Sequence, residues 1–265
     1  MTIRTPRSLD AQEIASLVKS SFNPELHPYL IQTQVGIVEY LTVMLGRLNA
    51  SPPATKLVSV GADDHLNAYA DFRTQPDGGC FLSYICVLPE AQGHGLASSM
   101  IRKFLSDARP RTLRLDVFDG NTAAIELYKK LGFVQQHAVE WSGRSLARTH
   151  DGEELGVVQI NDGHAAYAHH KVYGFCEFDA DWQGKPLRFG RIGLTKLRMF
   201  DPASLQDSRL IAALSRQFPE ADEAFTIRTT SPDAPPHPSE RTILTARRML
   251  LNVKSNRSVL IGKKT

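Results

Sequence analysis

The sequence predicts an α/β chain built on a mixed sheet, and three observations predict it. Runs such as Leu66–Arg73 and Thr112–Phe118 alternate apolar and polar residues with period two, the signature of strands. Other runs carry a helical stripe: Leu96, Ala97, Met100, Ile101, Phe104 and Leu105 oppose Ser98, Ser99, Arg102, Lys103 and Ser106. The apolar run Ser83–Leu88 ends at Pro89 and enters that helix through Gln92-Gly93-His94-Gly95, giving the order strand, glycine turn, helix.

In chain order, Thr2–Thr5 is a short strand, and Asp10 with Glu13 forms a capping box for a helix whose inner face holds Ile14, Leu17 and Val18. Asn23-Pro24 and His27-Pro28 break the chain. A second helix then carries Val35, Val38, Leu41, Leu45 and Leu48 and stops at Ser51-Pro52-Pro53. Lys56–Val60 and Leu66–Arg73 form a hairpin turning at Asp63-Asp64. Leu66, Ala68, Ala70 and Phe72 alternate with Asn67, Tyr69, Asp71 and Arg73, which predicts a sheet covered on one face. Pro76–Gly79 turns the chain into the central strand. Thr112–Phe118 is a strand parallel to it through a helical crossover.

Composition bounds the function. The 265 residues are 42% hydrophobic and 22% charged, enough for one large or two modest cores and unlike a disordered or membrane chain. No apolar run follows Met1–Arg7, and no stretch is long enough to span a bilayer, so no membrane partner and a cytoplasmic location are expected. Cys80, Cys86 and Cys176 are odd in number and lack metal-ligand spacing, so they are expected as buried free thiols, with no metal.

Gly93 and Gly95 carry no side chain to block an anion, and the N–H groups at the start of the following helix point toward one, so a pyrophosphate fits there. The turn is not a Walker loop, which needs Lys-Ser/Thr after its last glycine, nor a three-glycine dinucleotide fingerprint. A second cluster, Asn121–Phe133, starts at an N-cap asparagine, continues as a helix and stops at Gly132. Together the clusters resemble the GNAT superfamily of acyl-CoA-dependent N-acetyltransferases. Its Gln/Arg-x-x-Gly-x-Gly/Ala turn is matched by Gln92, Gly95 and Ala97, preceded by Val87 and Pro89. Its Asn-x-x-Ala-x-x-x-Tyr-x-x-x-Gly-Phe motif is matched by Asn121, Ala124, Tyr128, Gly132 and Phe133.

The resemblance covers roughly residues 1–137 and implies a GNAT domain with acetyl-CoA as cosubstrate. It implies that the backbone of Ile85, Cys86 and Val87 pairs with pantetheine and polarises the thioester carbonyl. It further implies that Gln92, Gly93, His94, Gly95, Leu96 and Ala97 hold the pyrophosphate. Asn121, beside Ala124, bonds the pantetheine arm or orders its loop. Tyr128 faces the thioester sulfur and protonates or hydrogen-bonds the departing thiolate. The base that deprotonates the acceptor amine is not fixed by the resemblance; Asp71, Asp116, Tyr84 and Ser83 are candidates, with Asp116 first. The acceptor is a small primary amine or, alternatively, a peptide or protein N-terminus. A non-catalytic acyl-CoA sensor is the reading from another class, and the assembly is a monomer or homodimer.

Residues 138–265 carry no motif of their own. Trp141–Asp151 is a polar connecting stretch, and His164, Tyr167, His169 and His170 do not share a metal-binding face if they lie on a strand. Val172–Phe178 and Leu187–Met199 form a hairpin across Asp181–Pro186. An echo of the first half follows: Asp201-Pro202, a helix with Leu205, Leu210, Ile211 and Leu214, a strand Phe225–Arg228, a helix Ile243–Leu251 and a strand Ser258–Ile261. Gln92, Gly93 and Gly95 have no counterparts after Pro202 and the final helix has no tyrosine, so this half is a degenerate GNAT-like copy or a plain α/β accessory domain. Ser231–Ser239, with its prolines, is a loop. Charges balance over residues 1–137, so the net charge of +3 falls in the second half. Arg241, Arg247, Arg248, Lys254 and Arg257 form a solvated helix face there, or a basic face for nucleic acid or an acidic partner; without interleaved aromatics, nucleic acid is disfavoured.

Overall fold

The first strand, β1 (Thr2–Arg4), and the first helix, α1 (Ala11–Ser21), show local signals being redirected by tertiary partners. The expected capping box does not form. The Asp10 carboxylate takes the Arg4 guanidinium at 2.6 and 3.0 Å and the Arg7 N–H at 2.6 Å, while Glu13 accepts from the N–H of Leu66 at 2.9 Å. Burial works against the Asp10 charge, but Arg4 and Arg7 hold its pKa below the ordinary value. Ile14, Leu17 and Val18 are buried as the stripe requires. Helix α2 (Ile37–Gly46) buries Leu41 and Leu45, but Val35 precedes it and is exposed.

This computed structural model describes residues 1–47, 54–146, 156–230 and 238–253. Leu48, the Ser51–Pro53 break, most of the Ser231–Ser239 loop, Lys254, Arg257 and the strand expected over Ser258–Ile261 lie outside the described residues.

Strands β2 (Ala54–Val60) and β3 (Leu66–Thr74) form the expected antiparallel hairpin, with Asp64 in the left-handed region at φ 63°. Both faces of β3 are covered, not one. Leu66, Ala68, Ala70 and Phe72 are buried on one side, and Tyr69 and Asp71 are each only 2% exposed on the other. Asp71 is buried because Lys56 Nζ lies 2.7 Å from its carboxylate, so the polar half of the alternation hides an ion pair. Strand β4 (Cys80–Val87) continues the antiparallel order, and β5 (Thr112–Phe118) pairs with it in parallel through α3 (Leu96–Ala108). Leu96, Met100, Ile101, Phe104 and Leu105 fill the core on that side, where Phe104 stacks on Phe72 with centroids 3.9 Å apart. Helix α4 (Thr122–Lys130) adds Ile125 and Tyr128 to the same core.

The second half contains β6 (Val134–Ser145), β7 (Gln159–Asn161), α5 (Gly163–Tyr173), β8 (Phe175–Trp182), β9 (Lys185–Ile192), β10 (Lys196–Met199), α6 (Ser208–Gln217), β11 (Glu223–Thr230) and β12 (Arg241–Asn252). Four expectations are corrected here. Trp141–Ser145 is strand rather than connector, and His164, Tyr167, His169 and His170 lie on helix α5. Leu187–Met199 is two strands, reversed at Gly193, whose φ is 56°. Ile243–Leu251 is strand, not helix. Its apolar spacing fits either period, and a sheet partner decides: Ala246–Asn252 pairs antiparallel with β5 from Phe118 back to Thr112, bringing Met249 and Leu251 into the core beside Leu113 and Leu115.

The chain forms two units. One contains Met1–Asn23, Val38–Ala138 and the chain from Ala246 on; the other contains Pro24–Ile37 and Val139–Thr245. In the first, the strand order is β1-β2-β3-β4-β5-β12. In the second it is β6-β11-β10-β9-β8-β7, with β10 and β11 parallel across α6 and the others from β7 to β10 antiparallel. The core of the second unit holds Phe178, Phe189, Leu197, Leu210, Leu214 and Phe218. Within it, the Tyr29 hydroxyl donates to Glu223 at 2.5 Å and accepts from Arg241 at 2.7 Å, and Lys196 lies 3.2 Å from the same carboxylate. No helix among the described residues is long and apolar enough to cross a membrane.

Candidate active site

The site is built where β4 and β5 part. Their parallel pairing runs only from Cys80, Phe81 and Leu82 against Leu113, Arg114 and Leu115, although β4 continues to Val87 and β5 to Phe118. A bulge in β4 explains the divergence. Asp71 faces Tyr84 and Phe72 faces Leu82, so Ser83 is an extra residue on β4. It switches the parity of the strand: Cys80 and Leu82 face the α3 core before it, and Ile85 and Val87 face the same core after it. Beyond Leu82, the edge of β4 that faces β5 is therefore no longer engaged by that strand. The stretch expected to bind pantetheine, Ile85, Cys86 and Val87, lies in this parted segment. The continuous apolar run of the sequence gives no sign of this bulge.

The turn after β4 leads straight to α3. Pro89–Ala91 makes a short 3-10 turn, and the Gln92 side chain donates to the Val87 carbonyl at 3.2 Å, tying the turn to the end of the strand. Gly93 and Gly95 have φ of 78° and 74°, and a Cβ placed on either would meet nothing within 4 Å. Left-handed backbone and open space together require glycine and leave a cradle. Gly95 is the N-cap of α3 and supplies no side-chain hydrogen bond, so the first N–H groups of the helix are left to an outside acceptor. His94 is exposed, Ala97 half-buried, and the Leu96 side chain turns into the core, so Leu96 can offer only its backbone. An anionic pyrophosphate fits this donor set and this space.

Across the gap, the Asn121 side chain accepts from the N–H of Ala124 at 3.1 Å and caps α4, while Gly132, at φ 84°, ends it. Tyr128 is buried, 5% exposed, with its ring 5.6 Å from Phe133. Burial, reinforced by the neighbouring Cys86 thiol, raises the Tyr128 pKa well above that of an ordinary phenol, so it remains a proton donor. Burial also pushes the Cys86 thiol up to about 11, so it is protonated at neutral pH and unsuited to carry an acyl group as a thiolate nucleophile.

The proposed bases are less free than their types suggest. Both Asp116 oxygens accept from Arg248 at 2.8 Å, and Asp71 is held by Lys56. Ser83 and Tyr84 are half-buried on the parted arm. The arginines expected on a basic helix face are instead paired on strand β12: Arg241 with Glu223, Arg247 with Asp119 and Arg248 with Asp116. No cluster of three or more His, Cys, Asp or Glu side chains among the described residues is arranged to hold a metal ion.

The family model of the GNAT acetyltransferases matches residues 20–133, which contain the parted strands, the glycine cradle and the Asn121–Phe133 helix. Residues 20–133 form a GNAT acetyltransferase domain. The sequence matches no curated protein. Among solved structures, a GCN5-related N-acetyltransferase from Sphaerobacter thermophilus is similar at 12% identity and TM-score 0.61, covering 95% of each chain. A probable N-acyltransferase from Enterococcus faecalis V583 is similar at 11% identity and TM-score 0.50, over 96% of this chain and 73% of that one. A mutant spermidine N-acetyltransferase SpeG from Vibrio cholerae is similar at 20% identity and TM-score 0.43, over 52% of this chain and 82% of that one. At these identities the first two establish fold, and they extend the likeness beyond the GNAT domain to nearly the whole chain.

Proposed function

We propose that the protein transfers an acetyl group from acetyl-CoA to the primary amine of a small molecule, by direct attack within a ternary complex. The observation that carries the reading is the parting of β4 and β5 beside the uncapped, glycine-opened N-terminus of α3. The first unit, with β12 from Ala246 completing its sheet, acts as the transferase domain, and the second as an accessory copy without a cradle. Three buried free thiols suit a reducing cytoplasm.

Acetyl-CoA supplies the activated acyl group. The N–H groups at Gly93, Gly95, Leu96 and Ala97 bind its pyrophosphate, and the backbone of Ile85, Cys86 and Val87 receives the pantetheine arm and polarises the carbonyl. The acceptor nitrogen bonds to the acetyl carbon as the carbon–sulfur bond breaks. Tyr128 gives its proton to the departing sulfur, a role suited to a phenol whose pKa burial has raised. The amine's proton leaves through water, with Asp116, held in place by Arg248, as the carboxylate of β5 that receives it. Because burial keeps the Cys86 thiol protonated, direct attack is favoured over an acyl-enzyme.

The test is acetyl-CoA-dependent thiol release with a panel of small amines, amino acids, polyamines, aminoglycosides and short peptides. Turnover with at least one small amine is expected. Acetyl-CoA binding with no turnover across the panel contradicts the small-amine reading.

A further inference from the structure

The mouth of the parted strands has an aromatic wall. Phe22, just past the end of α1, lies edge-on to Tyr84 on one arm with centroids 5.9 Å apart, and edge-on to Phe118 on the other at 6.1 Å. One ring therefore spans the gap between β4 and β5. All three rings are half-buried. They lie on the sheet face opposite the α3 core, the same face as Asp116.

The charge on that face points the same way. Asp71, Asp77, Asp116 and Asp119, on β3, β5 and the adjoining turns, are each held by a cation: Lys56, Arg114, Arg248 and Arg247 respectively. A polyamine needs carboxylates whose charge is not already answered, since each ammonium left unpaired near a low-dielectric wall is costly. Each of these four carboxylates already has its partner, while the mouth itself presents the rings of Phe22, Tyr84 and Phe118. Such a surface takes a single amine on an aromatic or large apolar body, its one ammonium met by ring faces and water and its body held by ring contacts.

We infer that the acceptor is an aromatic or large apolar monoamine, selected by Phe22, Tyr84 and Phe118, and that polyamines are rejected. This rests on the transferase reading. It can nevertheless be tested by binding alone, so the two can fail separately.

The experiment titrates 2-phenylethylamine and spermidine into the full chain saturated with CoA, by calorimetry, and repeats both with Phe22→Ala and Phe22→Leu. The expected result is phenylethylamine binding at least tenfold tighter than spermidine. Phe22→Ala should weaken phenylethylamine about tenfold, the scale of one lost aromatic contact, and Phe22→Leu should weaken it less. CoA affinity should be unchanged in both variants, which separates a specificity role from misfolding. Spermidine binding as tightly as phenylethylamine, no binding of either amine, or phenylethylamine affinity indifferent to both substitutions overturns the inference. Thiol release with phenylethylamine is measured in parallel. Tight binding without turnover leaves the acceptor wall standing and counts against the transferase reading.

Discussion

The two units thread the same strand plan, and they differ where a ligand would enter. In the first, β1 to β4 are antiparallel and β5 returns parallel to β4 through α3; in the second, β7 to β10 are antiparallel and β11 returns parallel to β10 through α6. Both crossovers leave the strand through a 3-10 turn that begins with proline, at Pro89 and Pro202, and reach a glutamine, Gln92 and Gln206. After that they diverge. The first unit inserts Gly93-His94-Gly95 and leaves the start of α3 without a side-chain cap. The second places Asp207 at the start of α6, where its carboxylate accepts from the N–H groups of Arg209 and Leu210 at 2.9 and 3.0 Å and from the Trp182 ring N–H at 2.9 Å. The second cradle is thus filled by the protein's own anion. The strands agree: β10 pairs with β11 along its full length, whereas β4 leaves β5 after Leu82. The same strand plan thus carries an uncapped, glycine-opened helix start in one unit and a capped one in the other, and a bulge and two glycines mark the difference.

Substitutions that close the open unit should have the largest effect. Gly95→Val puts a β-branched side chain at φ 74° and fills the space above the turn, so acetyl-CoA binding measured by calorimetry should vanish. Tyr128→Phe comes next: kcat should fall about a hundredfold, the scale of one lost proton donor, with the KM for acetyl-CoA unchanged. An unchanged chemical rate in single-turnover kinetics would remove its role as acid.

In the second unit the expected effects are on stability alone. Glu223→Gln leaves Lys196 and Arg241 without their shared carboxylate and should cost about 2 kcal/mol in urea unfolding at pH 7. Burial opposes the Glu223 charge, but Tyr29, Arg241 and Lys196 hold its pKa below the ordinary value of 4.5. The native state therefore binds that proton less readily than the unfolded chain. Its stabilisation is complete above pH 4.5 and is lost as pH falls through the folded pKa, so the gap between wild type and Glu223→Gln should narrow in acid. The smallest effect belongs to Asp207→Ala, which removes a cap and should cost about 1 kcal/mol without changing acetyl-CoA affinity.

The same contrast explains what could be read from the residues. The cradle was legible because its demands are local: Gly93 and Gly95 answer a backbone need, and Asn121 and Gly132 mark the two ends of α4. The helical stripe of α3 and the β2–β3 hairpin were legible for the same reason. Long-range partners hid the rest. Asp71 looked like a solvent-facing strand residue because Lys56, fifteen positions away, neutralises it. Ile243–Leu251 satisfied a helical pattern until β5 claimed it as a strand. Asp10 and Glu13 had capping spacing, but Arg4 and Leu66 took their carboxylates. The pairing of Arg247 and Arg248 with Asp119 and Asp116 spans more than a hundred residues, so the basic cluster near the C-terminus gave no sign of its partners.

The most direct test of one open and one closed copy is the stoichiometry of acetyl-CoA on the full chain, measured by calorimetry or native mass spectrometry for wild type, Gly95→Val and Asp207→Ala. One equivalent is expected for wild type and Asp207→Ala, and none for Gly95→Val. Two equivalents on the wild type, or one that survives Gly95→Val, would contradict the account.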